Sequence, residues 1–519
     1  MKYRSLGAFA ITMALSSATT TARAQDEDEK EAAESDESKK RPSKAADAHE
    51  DPVPASAGHG ADSPTATRAV VYGERSNWFI EPYGYVRFDA IEDSTQSFED
   101  GIQPNLIARP GTYKGDHRRT LFSARDSRLG VFIGAPTVGS VKSYGQIELD
   151  FFGIAPMEVR RHDSVVFGPM RIRHAFVKME TPVVDVLAGQ SSDVCGWGPY
   201  FYPATVGYMG VPAQVYHRNP QLRLEKTLAL GDLEATLAAA AVRPGQRDSG
   251  LPEAQGGLKL AYKGWSGAAM SGFGLPTLSA FSVGISGLYR EFEVPSFRAE
   301  PGSEHVKEKG YGVVANALVP LIPVSDIDDR SNALTITGEY SIGTGIADMY
   351  TFMDGGSRFP LLPNPSMSAP AIQYPSNIDP GLVTFDRNFT LKTINWQAFV
   401  VGAQYYLPIS KGRVFLSGIF SRVWSDNIKM LTPAPSWGGI FTKMEYFDAN
   451  IGFEITPAIV AGLSLQSVKQ TFGDVSAPTP MYGEVAVPER LGIPTEPGTG
   501  GIQATARNNR AQFSMAFFF

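Results

Sequence analysis

Eight arginines crowd into one stretch of this chain: Arg118, Arg119, Arg125 and Arg128, then Arg160 and Arg161, then Arg171 and Arg173. A guanidinium is planar, permanently charged and able to hold a carboxylate or phosphate through two parallel hydrogen bonds. Carboxylates stand nearby, with Asp89 two residues after Arg87, and Glu148 two before Asp150. Residues two apart share one face of a strand, so each of these pairs, and Arg171 with Arg173, points one way. Two readings follow: the opposite charges pair and stiffen a wall, or the arginines are available to a small anion.

Other chemistry is poorly represented. The chain has no Gly-x-Ser-x-Gly elbow, no His-Glu-x-x-His metal motif, and no Gly-Lys pair from which a phosphate-cradling loop could be built. His162-Asp163-Ser164 are adjacent in sequence, whereas triad partners meet in space, so they read as loop polarity. His174 has no second histidine at ligand spacing and reads as a wall or interface residue. Cys195 is the single cysteine; without an internal partner or a nearby histidine it reads as structural. No enzyme activity, cofactor, metal or nucleic-acid partner is expected.

The elements that would position the arginines are announced at both ends of the chain. At the C-terminus, Phe513, Met515, Phe517 and Phe519 alternate with Gln512, Ser514, Ala516 and Phe518. An apolar face that runs out on the last residue needs a cover, and lipid provides one when the closing strand joins the first strand of a barrel. At the N-terminus, a cationic start (Lys2, Arg4), an apolar core from Leu6 to Leu15 and the small-x-small run Ala22-Arg23-Ala24 read as a secretory leader cleaved after Ala24. Phe517 and Phe519 then read as part of a barrel-assembly signal.

Composition is consistent with this and excludes other membrane architectures. The 519 residues are 43% apolar and 11% aromatic, yet no run is long enough for a transmembrane helix. Alternating segments recur instead, near 79–92, 119–134, 141–153, 171–180, 183–191, 221–230, 233–243, 255–264, 279–293, 309–321, 333–343, 394–408, 413–426, 444–457, 459–473 and 506–519. About sixteen such strands, with no helical pattern to cover a sheet, predict an all-β fold: a transmembrane antiparallel β-barrel. Since an Arg on the lipid face costs roughly 2–4 kcal/mol at mid-membrane, the strand arginines are placed on the lumen side. Arg87, Asp89, Arg128, Glu148, Asp150, Arg171 and Arg173 are thus the expected pore-lining residues.

Short turns alternate with long Gly-, Pro- and Ser-rich connections near 94–118, 154–170, 192–220, 344–393 and 474–505. The run Cys195-Gly196-Trp197-Gly198-Pro199-Tyr200-Phe201-Tyr202-Pro203 reads either as a loop folded inward or against a neighbouring subunit, or as an aromatic cluster at the membrane rim. Residues 25–70 carry 12 acidic against 6 basic residues and almost no large apolar side chain, which predicts a disordered periplasmic tether. The expected division is therefore 1–24 leader, 25–70 acidic tether and 71–519 barrel. Charged rows on several strands favour a wet lumen over a plugged one.

Arg119-Thr120-Leu121-Phe122-Ser123-Ala124-Arg125-Asp126-Ser127-Arg128-Leu129-Gly130-Val131, followed by Tyr144-Gly145-Gln146-Ile147-Glu148-Leu149-Asp150-Phe151-Phe152-Gly153, resembles the DcaP-like trimeric porins. So do Tyr83 to Ala90, Arg171 to Phe176 and Leu187 to Gln190. The likeness covers about 79–230; beyond it, strand pattern and the terminal Phe carry it. It implies a sixteen-stranded homotrimer in the outer membrane, passing small organic anions such as dicarboxylates, with Arg128, Arg171 and Arg173 lining the channel. The acidic tether departs from the family, whose members often carry a coiled-coil segment there. The expected function is passive diffusion of small hydrophilic solutes; the alternatives are a non-conducting envelope-tethering barrel or an outer-membrane barrel enzyme.

Overall fold

The computed structural model describes residues 78–101, 107–153, 168–207, 211–296, 304–351, 353, 377–432, 440–473 and 504–519. The leader, the acidic tether, Arg160, Arg161 and His162-Asp163-Ser164 lie outside them. Nineteen strands follow one another: β1 (Phe79–Asp93), β2 (Arg119–Ser123), β3 (Arg128–Gly134), β4 (Lys142–Asp150), β5 (Arg171–Glu180), β6 (Asp185–Ser192), β7 (Arg218–Leu230), β8 (Leu233–Val242), β9 (Glu253–Ala269) and β10 (Thr277–Pro295). Then come β11 (His305–Ile322), β12 (Leu334–Thr344), β13 (Val383–Phe385), β14 (Leu391–Thr393), β15 (Asn395–Tyr406), β16 (Val414–Trp424), β17 (Phe441–Thr456), β18 (Ile459–Phe472) and β19 (Thr505–Phe518).

Seventeen of these form one antiparallel sheet, and β13 with β14 make a small hairpin of their own. Strands β2 and β3 both pair with β1, so they are two halves of a single stave interrupted at 124–127. That leaves sixteen staves, and β1 closes the ring by pairing with β19 from Tyr85↔Phe518 to Asp93↔Arg510. Each alternating segment expected from sequence corresponds to one stave.

The outer wall is apolar. Phe513, Met515, Phe517 and Phe519 are exposed outward, while Arg510, Gln512 and Ser514 between them are buried inside. The same division runs round the ring, with Val86, Phe88, Leu129, Ile147, Leu224, Leu237, Ile285, Val313 and Val401 on the outer face. No described helix is long and apolar enough to cross a membrane; the crossing is made by strands whose backbone groups are all paired in a closed ring. This is the architecture of an outer-membrane β-barrel. The end carrying Phe79, Phe518 and two-residue turns such as Gly231-Asp232 is the periplasmic one in barrels of this class, and the long connections lie at the other.

The interior departs from a uniformly wet lumen. Three buried apolar clusters occupy it. The largest joins Phe98 and Ile107, the connection after β12 (Ile346, Met349, Tyr350, Leu382) and inward residues of β10, β11 and β15 to β19, such as Phe292, Trp396 and Phe441. No residue of β3, β4, β5, β6 or β7 belongs to any of the three. Apolar filling is therefore one-sided, and the wall from β3 to β7 keeps its charged and polar lining.

Candidate functional site

The segment between β6 and β7 folds into the barrel, which resolves the two readings of the aromatic run. The Cys195 amide donates to Gln255 Oε1 at 2.9 Å and the Gly196 amide to Ser286 Oγ at 2.9 Å, both on inward positions of β9 and β10. Trp197 lies over Gly257 and Gly284, where a Cβ would sit 2.7 and 2.9 Å from its ring. Further along, Thr205 Oγ1 donates to Asp448 at 2.6 Å, the Val206 amide to Asn450 at 2.9 Å, and the Val215 amide to Glu339 at 2.6 Å. A strap so anchored reaches β9, β10, β12 and β17, and it narrows the lumen. Burial pushes the Cys195 thiol well above its usual value, with Glu253, Asp193 and Glu339 adding in the same direction.

Arg87 and Asp89 belong to this anchorage. Arg87 pairs with Asp89 and Asp126, each at 2.9 Å, and donates to the Val206 and Gly207 carbonyls at 2.9 and 3.1 Å. Asp89 accepts from Gln512 at 2.9 Å and Ser514 at 2.6 Å on the closing strand. The pair therefore ties the strap to the β1–β19 seam.

The remaining five expected residues come together on β3, β4 and β5. Arg173 contacts Glu148 at 2.7 Å and Asp150 at 2.8 Å; Arg171 contacts Asp150 at 2.6 Å; Arg128 approaches Glu148 at 3.5 Å. A register shift between Glu148 and Leu149 sets Arg173 and His174 side by side on the inner face, because a bulge puts two residues opposite one. Tyr83 reaches across Gly130, where a Cβ would strike its ring, and donates to Glu148 at 2.8 Å. Arg128, Arg173, Glu148 and Asp150 are buried, but about a third of the Arg171 side chain is open (34%).

One member was not expected from sequence. Arg218, at the start of β7, donates to the Tyr216 hydroxyl at 2.6 Å, stacks on that ring, and lies within electrostatic range of Arg173 and Asp150. Four guanidinium groups (Arg128, Arg171, Arg173, Arg218) thus gather about Glu148 and Asp150, and a third carboxylate, Asp126, itself paired with Arg87, lies within electrostatic range of Arg128 and Arg173. Lower on the same wall Lys178 pairs with Glu225 at 2.7 Å, and Arg223 with Glu225 at 3.4 Å. Of the other first-third arginines, Arg125 is held by Asp100 at 3.0 Å, Arg119 lies 3.6 Å from Asp93, and Arg118 is exposed beside Glu92 at 3.4 Å. Among the described residues no cluster of His, Cys, Asp and Glu is placed to hold a metal ion.

No protein-family profile matches the sequence, and no curated protein matches it. Solved structures do match. The outer membrane channel DcaP of Acinetobacter baumannii aligns with a TM-score of 0.56 at 16% identity, over 85% of this chain and 97% of that one. An anion-selective porin from Comamonas acidovorans aligns at 0.47 and 11% identity, over 85% and 100% of the respective chains. At such identity it is architecture that is shared: this chain has the fold of the DcaP outer-membrane channel.

Proposed function

We propose that this barrel is an outer-membrane channel for passive diffusion of small hydrophilic solutes, and that it favours small organic anions, dicarboxylates among them. The observation that carries the reading is the one-sided apolar filling of the lumen: the wall left free of it, β3 to β7, holds a dense cluster of inward charges, while smaller inward ion pairs, such as Arg290 with Glu253 and Arg510 with Asp93, stand elsewhere. A strap crossing the lumen against a charged wall makes a constriction, and charged rings at a constriction set which solutes pass. The excess of guanidinium over carboxylate around Glu148 and Asp150 supports anion preference. The structural neighbour is described as an outer membrane channel, which supports the same class.

The finer assignments belong to the same proposal. The leader is removed after Ala24, residues 25–70 tether the barrel on the periplasmic side, Phe517 and Phe519 serve in assembly, and the barrels associate as homotrimers. Conductance of the purified chain in a planar bilayer tests the channel, and reversal potential under a salt gradient tests its preference. Steps in groups of three with a reversal potential on the anion side are expected. A cation-side potential removes the anion reading. Absence of conductance removes the channel itself and leaves the alternative that the apolar clusters favour, a closed barrel that tethers envelope layers.

A further inference from the structure

On the outer wall, at the end carrying the long connections, four strands place charged residues in one register row. Arg422 of β16 faces Glu445 of β17, Glu445 faces Lys469 of β18, and Lys469 faces Arg507 of β19. All point away from the lumen. Glu445 is shared by Arg422 at 2.6 Å, Lys443 at 3.6 Å and Lys469 at 4.0 Å, and Arg507 makes no ion pair among the described residues. Four cations therefore stand over one carboxylate. Phe399, Phe420 and Trp424 pack beside them, which sets this row at the level where aromatic side chains mark the membrane boundary.

Directly below, on the membrane side, the same wall is hollowed. Small residues Ala90, Ala449 and Ala511 floor a groove of about 550 Å³, flanked by Leu463, Leu465 and Phe513. That volume lies in the ordinary range of ligand pockets, roughly 300–1,000 Å³. Glu92 borders the groove, 3.4 Å from Arg118. Between row and groove, Ser467 donates to Asn509 at 2.9 Å. Cationic rim, polar step and apolar trough follow one another from the surface toward mid-membrane, which is the order of groups in a phosphorylated lipid.

We propose that this face of β16 to β19 and β1 binds an anionic, phosphate-bearing lipid of the outer leaflet. Its headgroup phosphate is held by Lys469 and Arg507, with Arg422 and Lys443 alongside, and an acyl chain lies in the trough over Ala449 and Ala511. Basic clusters at a membrane surface hold lipid headgroups in this way, and an apolar hollow beneath supplies a second determinant. The site is on the outer wall and does not depend on the channel reading.

The test uses the full purified chain in neutral detergent, titrated with diphosphorylated lipid A, with the same lipid after phosphate removal, and with inorganic phosphate. The expected result is saturable binding of the phosphorylated lipid, at least tenfold weaker binding of the dephosphorylated one, and no saturation by phosphate alone. Lys469→Glu with Arg507→Glu is expected to weaken the phosphorylated lipid at least tenfold, and Ala511→Leu to weaken it through the trough. Equal binding of the two lipids by the unaltered protein overturns the proposal, without needing any variant to fold. Binding of phosphate alone at the same affinity also overturns it, because the trough then contributes nothing. If Ala511→Leu dissociates an oligomer and leaves lipid binding unchanged, the trough is covered by a second copy of the chain, and the proposal fails.

Discussion

Arg171 grips Asp150 with both prongs of its guanidinium, Nε to Oδ1 at 3.0 Å and Nη2 to Oδ2 at 2.6 Å. The contact is the two-pronged geometry that an incoming carboxylate would need to make. The arginine side is partly open, so under the channel reading a passing carboxylate would compete with the resident one for one guanidinium. Replacing Asp150 by Asn leaves the shape and removes the competitor. Under the channel reading, Asp150→Asn shifts the reversal potential further to the anion side, and Arg171→Ala shifts it back. Measured under one salt gradient, shifts in the same direction for both would show that the pair does not set selectivity.

Arg173 and Arg171 differ in what their loss exposes. Arg173 is buried against two carboxylates, so Arg173→Ala strands buried charge, at a cost of about 3–5 kcal/mol if neighbours do not relax. Arg171 is partly open, and its loss costs at most about 1 kcal/mol. Urea unfolding in lipid vesicles, followed by tryptophan fluorescence, should rank the two variants in that order.

The strap depends on the absence of a side chain beneath it. Gly257→Val would put atoms where the Trp197 ring lies, since even a Cβ there comes within 2.7 Å. Displacing Trp197 loosens the neighbouring anchors of Cys195 and Gly196. The expected outcome is a larger single-channel conductance and faster proteolysis between 193 and 217, read by mass spectrometry of the fragments. An unchanged cleavage pattern would mean the strap accommodates the extra bulk.

Cys195 offers a reporter that needs no engineering. Its thiol is buried and its pKa is raised by that burial and by neighbouring carboxyl groups. Alkylation proceeds through the thiolate, so raising the pKa lowers the reactive fraction at any pH below it. No maleimide labelling of the folded protein is expected at pH 7 to 8, with complete labelling after denaturation. Gly257→Val should make the thiol accessible if the strap moves.

On the outer wall, Phe513 lies near the middle of β19, opposite Ala90 and Leu463. Phe513→Arg places a charge in lipid and is expected to cost about 2–4 kcal/mol. Folding titrations in vesicles, read by the gel mobility difference between the folded, unheated barrel and the unfolded chain, would measure it. Indifference to the change would mean that this face is covered by protein rather than lipid.

Staves were legible because lipid on one side forces a strict two-residue alternation, and residues such as Ile147, Leu149, Glu148 and Asp150 cannot exchange faces. What filled the lumen was much less legible. Inward polar residues such as Gln255, Ser286, Glu339, Asp448 and Asn450 were compatible with water, but each holds a backbone or side-chain group of the strap. Buried peptide needs hydrogen-bond partners just as water supplies them, so a polar inner face does not distinguish the two. The apolar residues that fill the other side, among them Phe98, Ile346 and Leu382, lie in irregular connections with no periodicity to reveal them. Arg218 was missed because the β7 candidate began three residues later, at 221, leaving its phase unassigned.

Gly84 and Phe519 exchange both backbone hydrogen bonds, Gly84 N–H to the Phe519 carbonyl at 3.0 Å and Phe519 N–H to the Gly84 carbonyl at 3.1 Å. The two residues belong to β1 and to the end of β19, the first and last of the described strands, so closure joins the segments most distant in sequence. Until β19 docks, β1 has no partner on that side, and a partly formed sheet carries an open edge able to pair with another chain. Closure of the ring falls to the pairing of β19 with β1. Without β19, both β1 and β18 would be left as open edges, so the integrity of the whole ring rests on the docking of that one strand between them.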